Sequence, residues 1–103
     1  MYDIKVVNKR SGTPGEYVGR PSVLGNPFAI GRDGTREEVI RKYRAWLWNE
    51  ISYTANPTPA RVELDRLAEK LINDGELTLV CWCAPKPCHA DVIASAIEWR
   101  NQP

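Results

Sequence analysis

No stretch of the 103 residues stays apolar for the roughly 20 positions a membrane-spanning helix requires, so insertion into a bilayer is excluded. Net charge is nearly absent too: 14 Lys and Arg against 13 Asp and Glu leave +1. That is too weak a field to draw the chain to nucleic acid or an acidic membrane surface. Direct nucleic-acid binding is therefore not expected, and any anion binding belongs to a local site. Cysteine is scarce, with three residues, an odd number, crowded between positions 81 and 88. A disulfide framework is not spread in that way, and reduced thiols follow. The opening MYDIKVVNKR lacks the basic-then-apolar order of a secretory signal, so the expected compartment is the cytoplasm. Repeats, low-complexity tracts and linkers are absent. One domain covering 1–103 is the expected organisation, since two would each be too small to bury much apolar surface.

What is present divides into short, legible elements. Tyr2, Ile4 and Val6 alternate with Asp3 and Lys5, the period of a strand with one buried face. Asn8 to Gly15 is rich in turn residues, Tyr17 and Val18 suit a second short strand, and the Gly/Pro-rich stretch Gly19 to Gly34 leaves no room for a helix. Thr35 and Glu38 stand at capping-box spacing before an apolar stripe of Val39, Ile40, Tyr43, Trp46, Leu47 and Ile51. A second helix is predicted from Thr58 as N-cap and Pro59 in the first turn, through Leu64, Leu67, Ala68, Leu71 and Ile72, to a glycine cap at Gly75. Leu77 to Cys83 reads as a central strand buried on both faces, and Ala90 to Arg100 as a third helix carrying Val92, Ile93, Ala96, Ile97 and Trp99 on its apolar side. The order predicts an α/β fold of two or three layers, with a short, mostly parallel sheet and about three helices. Four tryptophans are many for this length, and most are expected in the core or in pocket walls. Trp46, Trp48 and Tyr53 are candidates for a surface shared with a second copy.

The chemistry concentrates in LTLVCWCAPKPCHADV, residues 77–92. Here a strand runs into a loop and then a helix, the junction at which α/β sheets favour ligands. The start of the last helix offers amide donors and the positive end of a dipole to an anion, with Lys86 close in sequence. A thiol at that terminus is expected to have a lowered pKa, making Cys88 the leading thiolate and His89 an acid, base or hydrogen-bond donor. Several readings stay open. Cys81 and Cys83 suit small buried hydrophobes. Cys81, Cys83, Cys88 and His89 together could ligate zinc, although one intervening residue between Cys81 and Cys83 is not the spacing of a zinc knuckle, and no metal is assigned. Cys88 or Cys83 could act as a nucleophile, with His89, the single histidine, or a carboxylate such as Asp91 as base. The remaining reading is a ligand site without covalent chemistry.

The chain also resembles the family catalogued as domain of unknown function 4326, small proteins frequent in bacteriophages and bacteria. The resemblance covers nearly the whole chain. It rests on Val7-Asn8, on Tyr17-Val18-Gly19-Arg20 with Leu24-Gly25-Asn26-Pro27-Phe28, on Ile30 through Arg36, and on Cys81-Trp82-Cys83 with Pro85-Lys86-Pro87-Cys88-His89 and Asp91. Leu24 departs from the tryptophan common in relatives. A fainter likeness of the cysteine and histidine unit to the family of unknown function 488 bears on the fold alone. The resemblance implies that Gly19-Arg20 and Gly25 to Phe28 share one site with the C-terminal cluster. Read physically, Arg20 can grip a phosphate or carboxylate, Asn26 can hydrogen-bond a base edge, and Phe28 or Trp82 can stack on a ring.

The ligand-binding set expected is thus Asn8, Arg20, Gly25, Asn26, Phe28, Arg32, Cys83, Lys86, Cys88 and His89. Its expected partner is a nucleotide or nucleotide-derived small anion, with no cofactor. A phage-encoded version would work in the host cytoplasm, sequestering a signalling nucleotide. The alternatives are a nucleotide-processing hydrolase or transferase using Cys88, His89 or Asp91, and a zinc-stabilised interaction module.

Overall fold

The computed structural model describes residues 2–52 and 55–102. Its strands are β1 (Asp3–Asn8), β2 (Glu16–Tyr17) and β3 (Glu76–Cys81), and its helices are α1 (Arg36–Ser52), α2 (Pro59–Asp74) and α3 (His89–Arg100). The sheet is wholly parallel in the order β1-β3-β2, with Ile4 opposite Leu77, Val6 opposite Leu79 and Tyr17 opposite Val80.

The helices form where local chemistry starts and stops them. Thr35 and Glu38 cap α1 reciprocally: Glu38 N–H donates to Thr35 Oγ1 at 3.3 Å and Thr35 N–H to Glu38 Oε1 at 3.0 Å. Thr58 Oγ1 accepts from Arg61 N–H at 3.1 Å to open α2. Gly75 closes it at φ 78°, donating its N–H to Leu71 O at 2.8 Å. Tyr43, Leu47 and Ile51 of α1 meet Leu64, Leu67, Ala68 and Leu71 of α2 and Val92, Ile93, Ala96 and Ile97 of α3 in one core.

The sheet adds Leu77, Leu79 and Cys81, with Ile4 and Val6 packed alongside, so the helices cover one face and the fold has two layers. On the other face Thr78 and Val80 lie under the loop before β2. A Cβ on Gly15 would come within 2.9 Å of their methyl groups, so only glycine fits there.

Some expectations change. β3 is central, but it ends at Cys81, because β1 runs out opposite Cys81 and β2 opposite Val80, and beyond them no strand remains to pair. Trp82 leaves the sheet and is 52% exposed. None of the tryptophans is fully buried, although Trp46 and Trp48 pack against the core as expected. Trp99 lies on the surface edge-to-face with half-buried Trp48, ring centroids 4.9 Å apart, and Trp46 packs on Tyr43. Ile72 also faces outward, as does Tyr2, which precedes β1. Tyr53 lies outside the described residues.

Candidate functional site

At the carboxyl ends of β2 and β3 the chain leaves the sheet on both sides of a cleft of about 330 Å³. Its walls come from the 17–30 segment, the first turns of α1, and the loop leading from β3 into α3.

One wall is aromatic. Trp82 Nε1–H donates to Tyr17 Oη at 3.0 Å, and Tyr17 O–H donates to Arg20 O at 2.6 Å. The ammonium of Lys9 sits 4.5 Å from the Tyr17 ring centroid, adding a cation–π contact. This chain of bonds engages the Tyr17 hydroxyl from both sides, so Tyr17 and Trp82 offer ring surface to the cleft. Phe28 lines it as well.

The floor is polar and buried. Asn26, 8% exposed, accepts from Phe28 N–H through Oδ1 at 2.9 Å and donates from Nδ2 to Val39 O at 3.5 Å, a long contact. His89, also 8% exposed, has its Nε2 2.7 Å from Val18 O. A carbonyl only accepts, so Nε2 carries the proton, and in the neutral ring Nδ1 is left to accept from the Cys88 thiol 3.2 Å away. Tyr43 meets the imidazole edge-to-face, with its own hydroxyl donating to Leu24 O at 2.7 Å.

Burial pushes the His89 pKa below its usual value and the nearby Arg20 charge lowers it further, against the opposing effect of the Val18 carbonyl. Burial likewise pushes the Cys88 thiol upward, and the neighbouring Cys81 adds to the rise. The expectation of a lowered thiol pKa at the helix terminus is therefore overturned. Desolvation in the core outweighs the dipole, and the pair rests as neutral thiol and neutral imidazole.

The charges sit at the rim. Arg20 is exposed and Arg36 half-buried, its Nη1 donating to Pro87 O at 3.2 Å; no carboxylate lines the cleft among the described residues. The anion-binding expectation at α3 shifts accordingly. Asp91, exposed and outside the cleft, accepts from Cys88 N–H at 3.0 Å and so occupies part of the helix terminus itself. Lys86 is exposed and does not line the cleft.

Of the residues expected from sequence, Arg20, Asn26, Phe28, Cys83, Cys88 and His89 converge on the cleft. Asn8 does not line it. Its Nδ2 donates to Trp82 O at 2.9 Å and Ala84 O at 3.0 Å, replacing the ladder where β1 ends, while Oδ1 accepts from Arg10 N–H. Gly25 supports the loop from behind, where a Cβ would come within 3.1 Å of the Arg20 backbone. Arg32 is committed elsewhere, to Asp33 at 2.6 Å and to Pro27 O at 3.0 Å, with its side chain 68% exposed. Arg36 and Tyr17 belong to the site although they were not expected as ligand contacts. The available signal for Arg36 was its place as first helical residue directly after a glycine-rich loop and its cap. Among the described residues no group of three or more His, Cys, Asp or Glu is arranged to hold a metal ion, and all three cysteines are free thiols.

No curated protein and no solved structure matches the chain. The family model described as "Domain of unknown function (DUF4326)" matches residues 5–99, a span containing every residue that lines the cleft. The chain thus belongs to the DUF4326 family.

Proposed function

We propose that the cleft binds a nucleotide or a nucleotide-derived small anion. The observation that carries this reading is the meeting, in one cleft, of aromatic ring surface with two arginines, Arg20 and Arg36, and no lining carboxylate among the described residues. A base can stack on Trp82 or Phe28, and a phosphate can take the planar donor forks of Arg20 and Arg36. Binding without turnover suits the neutral Cys88 and His89 pair, which holds neither a resting thiolate nor an imidazolium. A phage-encoded copy working in the host cytoplasm would on this reading sequester a host signalling nucleotide.

The test is thermal unfolding and calorimetry with a panel of nucleotides. A ligand at 100 times its Kd stabilises the fold by about 2.7 kcal/mol, which raises Tm by roughly 10 °C or more in a domain of this size. Arg20→Ala or Arg36→Ala, each removing a charge-assisted contact of about 1.5–3 kcal/mol, should weaken binding by about 10- to 150-fold. Absence of heat and of any Tm shift across the panel would refute the proposal.

A further inference from the structure

From the charge, size and hydrogen-bonding capacity of the cleft we infer that its ligand class is a nucleoside monophosphate, bound without magnesium, with Asn26 reading the edge of the base; this rests on the nucleotide reading above. The charged side chains lining the cleft are Arg20 and Arg36, one positive charge each. His89 adds none, because burial and the Arg20 field keep it neutral. Two positive charges match a single phosphate monoester dianion. Among the described residues a second or third phosphate meets no further cation in the lining, the Lys9 ammonium being held against the Tyr17 ring 4.5 Å from its centroid. Nor is there a lining carboxylate among the described residues to help hold the magnesium that accompanies a triphosphate.

The volume agrees. About 330 Å³ lies at the lower end of the roughly 300–1,000 Å³ of small-molecule sites, room for one base, one sugar and one phosphate rather than two of each.

Polarity by depth sets the orientation. The arginines stand at the rim, where a dianion keeps much of its hydration, and the neutral amide of Asn26 lies deep, where a charge would be costly to desolvate. The phosphate therefore stays outward and the base goes in. Asn26 is more than nine-tenths buried and incompletely used. Nδ2 has two hydrogens, one directed at Val39 O, and Oδ1 has two lone pairs, one taken by Phe28 N–H. By that count one donor and one acceptor remain, the complement of the acceptor and donor that a base edge presents, as at adenine N7 and N6. The aromatic wall contributes ring faces and no further discrimination, since the Tyr17 hydroxyl is engaged twice within the protein.

Calorimetry of the wild-type chain with AMP, GMP, CMP and UMP, and with the matching di- and triphosphates, tests this in EDTA and again with magnesium. The expected result is binding of at least one monophosphate in EDTA, with no gain from added phosphates or from the metal. Asn26→Asp keeps the acceptor for Phe28 N–H and removes the donor. With its fold verified by circular dichroism, it should lose about tenfold or more in affinity for the preferred monophosphate and most of the discrimination between bases. A triphosphate bound tenfold more tightly than its monophosphate, or a requirement for magnesium, overturns this inference and leaves the nucleotide reading standing. No binding by any nucleotide overturns both.

Discussion

Acidification from pH 7 to pH 5 should destabilise the fold through one residue, His89. The chain has a single histidine, so no other side chain ordinarily titrates in that interval. In the fold the imidazole is buried, Nε2–H donates to Val18 O and Nδ1 accepts from Cys88, an arrangement that only the neutral ring satisfies. Its folded pKa lies below the usual 6.5, with burial the main cause. The unfolded chain therefore takes up a proton before the folded one does, and stability falls as pH drops through 6.5. The loss continues until the lower folded pKa is reached. Linkage sets the slope at about 1.4 kcal/mol per pH unit while the two states differ by one proton. For a chain of about 100 residues each kcal/mol moves Tm by roughly 4–8 °C, so one full unit inside the window lowers Tm by about 6–11 °C. The carboxylates held below their usual values, Asp33, Glu38 and Glu63, protect stability only above their unfolded pKa values near 4 and fade at lower pH, outside this window. Differential scanning calorimetry of wild type and His89→Gln at half-unit steps separates the effects. The glutamine amide can still donate to Val18 O but cannot titrate. A wild-type Tm that stays flat from pH 7 to 5, or an equal slope in the variant, would refute the assignment.

Three further outcomes follow from the geometry. Tyr43→Phe removes the donor to the buried carbonyl of Leu24 and should cost about 1–3 kcal/mol in urea unfolding, with the aromatic packing retained. Leu67→Ala, at the centre of the α2 stripe with no exposed surface, should cost about 2–5 kcal/mol in the same assay. In thiol labelling of native protein at pH 7.5, half-buried Cys83 should react well before Cys81 and Cys88. Burial screens those two, and the Cys88 thiol is held protonated. Equal rates for all three would contradict the buried neutral pair.

Much of the architecture was legible in the sequence because it depends on residues within a turn or two of each other. Thr35 with Glu38, Thr58 with Pro59, and Gly75 bound helices through bonds reaching three or four positions along the chain, so their spacing was enough. The apolar periods of α1 and α2 likewise pointed their stripes at a core, and turn-rich composition marked 19–34 as the loop that now walls the cleft. Family resemblance tied that loop to the Cys88-His89 cluster, and the two do face each other.

What the sequence alone determined, then, was the element order, the capped helices and the two segments that meet at the site. Only the tertiary structure decided which side chains in those segments face the cleft. Asn8 reaches Trp82 across 74 positions, Arg36 reaches Pro87 across 51, and His89 reaches Val18 across 71. Those pairings make Asn8 a strand-end support, bring Arg36 into the site while Asp33 holds Arg32 outside it, and fix the tautomer of His89. The ionisation of Cys88 belongs to the same class. A helix N-terminus favours a thiolate, but desolvation scales with what packs around the sulfur, and that is set by segments distant in the chain.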